Sequence, residues 1–146
     1  MGNIFNDDFR EFIELLNLHQ VEYILVGGYS VILHGYPRST GDMDIWVNKS
    51  NENFNKLKSA FSDFKMPIMK LEDFLNSENE VFSYGRPPVG IDILTHCKGL
   101  EFQDSIKESS FVDVEGLKVN LISYSHLIKA KKAAGRYKDL NDLDHL

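Results

Sequence analysis

Residues 24–47, ILVGGYSVILHGYPRSTGDMDIWV, run from an apolar segment (Ile24-Leu25-Val26) through a glycine pair (Gly27-Gly28) to a second apolar segment into which Asp42 and Asp44 are set. The first segment reads as the end of a strand over 22–26 and the second as a strand over 42–48. In a strand, residues i and i+2 share a face. Asp42 and Asp44 therefore project together, while Met43, Ile45 and Val47 line the opposite, core-facing side. Two like charges placed this close are unfavourable unless cations neutralise them.

Around this stretch the pattern alternates between helices and strands. Phe5, Phe9, Phe12, Ile13 and Leu16 recur at helical spacing with charges between them, which predicts an amphipathic helix over 6–19. Gly27-Gly28 turns the chain into a helix over 29–35, with Tyr29, Ile32, Leu33 and Tyr36 as its apolar stripe and Gly35 and Pro37 as its stop. Ser50 is an N-cap for a helix over 51–63 whose apolar positions are Phe54, Leu57, Phe61 and Phe64. A short helix is expected at 71–75 and a strand at 81–84. Pro87 and Pro88 then force an extended loop before a strand over 89–94. Residues 110–121 read as a hairpin turning at Val114-Glu115-Gly116-Leu117, followed by helices at 123–134 and 138–145 hinged at Gly135. This order predicts a mixed α/β (α+β) fold, one domain over 1–146, with helices on one face of the sheet and a C-terminal helical pair. The other face, carrying Asp42, Asp44 and Asp92, would form the floor of a cleft.

Composition narrows the class. With 146 residues and 42% hydrophobic content the chain can bury one real core but not two. Sixteen basic against 22 acidic residues leave a net charge of -6, which opposes broad, sequence-blind binding to nucleic acid. Charge is nevertheless segregated: residues 125–138 contain Lys129, Lys131, Lys132, Arg136 and Lys138 and no acid. The lone Cys97 can form no internal disulfide and lacks the Cys/His spacing of structural zinc, which fits a reducing cytoplasm. No apolar run approaches the roughly 20 residues that cross a bilayer, and 1–8 lack the pattern of a signal peptide, so no membrane association is expected. Gly2 opens an N-myristoylation pattern, but Asn6 stands where that pattern needs Ser or Thr.

A third acid, Asp92, sits between Ile91 and Ile93 in an apolar strand, where an unpaired carboxylate would be expensive; it needs a cation or a partner. Two Mg²⁺ ions accompanied by a nucleoside triphosphate would neutralise such acids. Backbone N–H groups at Gly27-Gly28 would approach phosphate at a helix start. Lys131 follows Leu127 and Ile128 by four and three residues, inside the apolar stripe of its helix; position alone fits a snorkelling lysine equally well, but beside three carboxylates and a triphosphate it reads as a phosphate-binding ammonium. Arg38, four residues before Asp42, would reach phosphate or support the acids. Asp139 would start the last helix and Asp142 would pair with Lys138. The five histidines show no ligand spacing, and Cys97 no nucleophile signature. Tyr84, Arg86 and Trp46 would stack on a base or an acceptor, or else serve packing.

Taken together, Gly27-Gly28, thirteen intervening residues, Asp42-Met43-Asp44 and the later Asp92 resemble the signature of the DNA polymerase β-type nucleotidyltransferase superfamily. Residues 26–47 more narrowly resemble a bacterial branch that includes AbiEii-type toxins. The tail 127–143, LIKAKKAAGRYKDLNDL, is similar to the end of that branch, where a lysine, an arginine and a D-x-x-D follow the core. The resemblance implies an α/β core that binds a nucleoside triphosphate, such as ATP, with two Mg²⁺ (or Mn²⁺) ions. Asp42 and Asp44 would hold the metals, and Asp92 would complete the metal site and help deprotonate an acceptor hydroxyl. Gly27, Gly28 and Ser30 would hold the outer phosphates, with Arg38, Lys131 and Arg136 neutralising them. One departure stands out: the superfamily often has Ser after the first Gly, where this chain has Gly28, so any hydroxyl contact would fall to Ser30. The implied acceptor is RNA, especially a tRNA end, in a toxin–antitoxin setting; a small molecule of the antibiotic type is the enzymatic rival. A nucleotide-binding, antitoxin-like module without turnover is the alternative class. A partner protein or a second copy of the chain would complete the cleft.

Overall fold

Asn6 opens the first helix by accepting a hydrogen bond from the Phe9 N–H at 2.8 Å, and α1 (Asp7–Leu18) buries Phe9, Phe12, Ile13 and Leu16 along one stripe. The computed structural model describes residues 3–78, 80–86 and 89–146. After α1 come β1 (Tyr23–Val26), α2 (Gly27–Leu33), β2 (Met43–Val47), α3 (Asn51–Asp63), α4 (Leu71–Leu75), β3 (Val81–Tyr84) and β4 (Ile91–Leu94). The chain then forms α5 (Phe102–Glu108), β5 (Ser110–Val114), β6 (Leu117–Leu121), α6 (Tyr124–Ala134) and α7 (Tyr137–His145). The mixed α/β fold and the C-terminal helix pair are thus those expected.

Six strands form one sheet in the order β3-β4-β2-β1-β6-β5. β1 is antiparallel to β2 and parallel to β6, and β2 is parallel to β4, so the sheet is mixed. Alternation puts Leu25, Met43, Ile45, Val47 and Ile93 on one face, all fully buried. Over this face α1 and α3 interlock through Phe12, whose ring stands 5.7 Å from Phe61 and 5.3 Å from Phe64. Ser50 caps α3 by accepting from the Asn53 N–H.

Three elements differ from expectation. α2 begins at Gly27 rather than at residue 29, because Gly27 takes φ +72° and lets the strand pass straight into the helix. β4 begins at Ile91 rather than Val89, and the extended loop expected at Pro87 and Pro88 lies outside the described residues. The sheet's acid-bearing face is also only partly open. Ile24 and Trp46 on that face are buried, and Trp46 packs edge-on against Phe102 of α5, a helix the sequence pattern did not announce. The cover is missing where Asp44 and Asp92 stand, at the end of β1 and the start of β2 and β4.

Candidate active site

Parallel pairing of β2 and β4 sets Asp44 directly opposite Asp92, and antiparallel pairing sets Val26, the last residue of β1, on the other side of Asp44. Two carboxylates thus become neighbours on adjacent strands, immediately beside the Gly27-Gly28 turn. Asp42 lies just before β2, and its Oδ1 accepts from the Gly90 N–H at 2.9 Å, which ties the start of β2 to the start of β4. The glycines are needed for space. A Cβ on Gly27 would collide with Asp44 Oδ2, and one on Gly28 with Thr40 Oγ1.

The three acids line one small, polar cavity of about 230 Å³, together with Gly27, Gly28, Arg38, Lys131, Arg136 and Lys138. Eight expected site residues therefore share a wall, namely the three acids, Gly27, Gly28, Arg38, Lys131 and Arg136, and the structure adds Lys138. Ser30 does not join them. It is fully buried, and its hydroxyl donates to the Gly27 carbonyl at 2.6 Å, so it braces the turn from behind instead of offering a hydroxyl to phosphate. The reason lies in α2 itself: starting the helix at Gly27 puts residue 30 one turn on, over its own first carbonyl.

The charges on this wall are strongly coupled. Burial, then the neighbouring Asp92 charge and its hydrogen bond, push the Asp44 carboxyl up to about 7, with Lys138 pulling the other way. Asp44 therefore holds a proton near neutrality. Among the described residues, no three carboxylate, imidazole or thiol groups stand arranged as a closed cation cage. The donor set is nonetheless all oxygen, which suits a hard divalent cation. The proton held on Asp44 also marks a place where positive charge is wanted.

Opposite the acids stands a buried ion network that the sequence reading did not see. Lys131 is only 7% exposed, and its Nζ lies 3.1 Å from Asp139 Oδ1 and 3.0 Å from Asp142 Oδ2. Arg38 grips Asp142 with two N–H bonds of 2.8 and 2.9 Å, and Arg136 grips Asp139 through Nε and Nη2. Asp142 pairs with Arg38 and Lys131, which corrects the expected pairing with Lys138. Asp139 does cap the last helix, accepting from the Arg136 N–H, but it is also fully buried beneath the cavity. Burial pushes both carboxyls up, yet the hydrogen bonds from Arg136, Arg38 and Lys131 outweigh it and hold both below the usual range. The D-x-x-D spacing was the available signal: residues three apart on a helix share a face, and a basic run precedes them.

A second lobe of about 220 Å³ opens beside the first, sharing Gly27, Asp44, Lys131 and Arg136 and walled by Leu94, Cys97, Ile122 and Leu127. Burial pushes the Cys97 thiol up to about 11, so it stays protonated there. Trp46 and Tyr84, considered as stacking groups, serve packing instead: Trp46 is 1% exposed, and Tyr84 stands edge-on to Phe61 at 5.1 Å. A larger hollow of about 650 Å³, lined by Tyr23, Phe111 and Asn120, carries one acid, Glu22, and one base, Lys118, and so lacks a comparable constellation.

No protein-family model and no curated protein sequence matches the chain. Among solved structures it is similar to TM1012, a candidate nucleotidyltransferase from Thermotoga maritima, with a TM-score of 0.63 at 20% identity over 94% of this chain and 88% of that one. It is also similar to JHP933 from Helicobacter pylori, with a TM-score of 0.52 at 18% identity over 93% of this chain; the match spans 61% of JHP933. At these identities the likeness establishes a nucleotidyltransferase-like fold.

Proposed function

We propose that this chain transfers a nucleoside monophosphate from a nucleoside triphosphate to an acceptor hydroxyl. The observation that carries the reading is the Asp44–Asp92 pair, in register on adjacent strands, facing Arg38, Lys131, Arg136 and Lys138 across a cavity floored by Gly27-Gly28. Asp42, Asp44 and Asp92 would hold Mg²⁺ or Mn²⁺, which when bound supplies Lewis-acid activation of the α-phosphoryl group and neutralises charge. Gly28 gives the outer phosphates a close backbone approach, and Arg38, Arg136 and Lys138 draw their charge into the cavity. The acceptor oxygen attacks the α-phosphorus, its bond to phosphorus forming as the bridge to the β-phosphate breaks and pyrophosphate leaves. The acceptor's proton passes to Asp92, which stands in register beside Asp44 on the adjacent strand.

The AbiEii-like character of residues 26–47 and 127–143, with the basic run in 125–138, favours RNA as acceptor and a toxin–antitoxin setting in the cytoplasm. No described helix is long and apolar enough to cross a membrane. The test is incubation with each nucleoside triphosphate labelled at the α-phosphate or at the γ-phosphate, with Mg²⁺ and total RNA. Label must reach the acceptor from the α position only, and Asp92→Asn must abolish it. Transfer of γ-label, or equal transfer by Asp92→Asn, contradicts the reading.

A further inference from the structure

The first residue of α7, Tyr137, is 93% exposed, the most exposed of the large hydrophobic side chains. It is flanked in sequence by Arg136 and Lys138, both of which line the catalytic cavity, and it follows Lys132, which is exposed in the last turn of α6. Leu140, one turn further along α7, is 49% exposed. Arg136 adds a second feature. Its side chain is 61% exposed, yet Asp139 grips its guanidinium through Nε and Nη2, so a cation is presented to solvent in a fixed orientation. An exposed ring and a fixed guanidinium among further cations at the mouth of a polar cavity is the chemistry that holds an unpaired polynucleotide: bases stack on the ring, and phosphates meet the cations.

We propose that the α6–α7 turn is the docking surface for the acceptor, a single-stranded RNA end, with Tyr137 stacking a base near the terminus and Lys132, Arg136 and Lys138 tracking the backbone. The proposal rests on the transfer reading for its purpose, but it concerns binding and is tested without turnover. Local charge favours this occupant, because Lys129, Lys132, Arg136 and Lys138 are exposed along 125–138, a stretch without an acid, in a chain whose net charge is -6. The surface therefore attracts a polyanion locally while the rest of the molecule repels it, which restricts contact to a strand end.

The experiment measures fluorescence anisotropy of a labelled single-stranded RNA oligonucleotide and of its duplex, with the full chain and without nucleotide. The wild type should prefer the single strand, and its affinity should fall with salt with a log–log slope of about -2 if three cations meet phosphates. Tyr137→Ala should bind roughly tenfold more weakly, and Tyr137→Trp should bind at least as well as wild type. Because Tyr137 is so exposed, neither change should move the melting temperature, which a merely structural role would. Asp44→Asn should bind RNA like wild type. Unchanged binding by Tyr137→Ala, equal affinity for duplex, or no RNA binding at low salt overturns the proposal. RNA binding without transfer would leave this surface standing and remove the catalytic reading; transfer to a small molecule or a protein without RNA binding would do the reverse.

Discussion

Asp44 is a carboxyl kept protonated near neutrality by burial and by Asp92, and its linkage to folding can be read from that alone. Its pKa rises from 3.8 to about 7 on folding, so it favours the folded state at low pH, and this contribution is lost as pH climbs between the two values. The shift corresponds to roughly 4 kcal/mol above pH 7. Asp44→Asn should therefore raise the melting temperature more at pH 8 than at pH 5, while abolishing transfer. Thermal melts at the two pH values check this, and a variant less stable than wild type at pH 8 would contradict it. Gly27→Ala should cost about 1–3 kcal/mol in denaturant unfolding, because φ +72° disfavours a side chain and the new methyl would strike Asp44. At this scale Asp44 and Asp92 were legible because each interrupts an apolar strand, and Asp42 because it stands two residues before Asp44. Ser30 was not, since its hydroxyl direction depends on which residue begins α2. The depth of Asp139 and Asp142 was hidden because helix acids are usually solvated, and only the arrival of Arg38 from another segment shows what they hold.

Helices decide how firmly the site is held. α7 contributes little apolar surface but places two buried carboxylates beneath three cations that come from the loop before β2, from α6 and from its own first turn. Asp142→Asn should cost about 3–5 kcal/mol by leaving Lys131 partly uncompensated, and adding Lys131→Met should restore part of that loss. Urea unfolding of the single and double variants measures it. Both α7 carboxyls are held low, so their contribution is present above the ordinary carboxylate range and lost as acid protonates them. Asp44 acts in the opposite direction, so these groups together place the stability maximum on the acid side of neutrality. α3 offers a test free of the site. Just past its end Lys65 takes φ 59°, where the Met66 N–H reaches back to the Phe61 carbonyl, and Lys65→Gly should stabilise by about 1 kcal/mol. α3 was legible to the residue from its Ser50 cap and its periodicity, whereas α4 and β3 lie where they were expected although little in 66–84 marks them. α5 was missed because only Phe102 and Ile106 mark it over seven residues, with Ser105 at its buried position.

For the whole molecule, the division of charge follows the division of labour: acids on the sheet, bases on the C-terminal helices and the loop before β2, and one cavity between them. Sequence alone predicted this division, because strand alternation and the basic tail are local patterns. How the tail reaches the sheet is not local: the Arg38–Asp142 contact joins residues 104 positions apart. The most direct test of the central claim is calorimetric binding of Mg²⁺ with a non-hydrolysable nucleoside triphosphate at pH 7, in buffers of different ionisation enthalpy. Wild type should bind and release about half a proton at pH 7 as the cation displaces the one held on Asp44. Asp44→Asn should lose both the release and most of the affinity. Wild-type binding without proton release, or equal binding by the variant, would show that the acid pair is not the cation site.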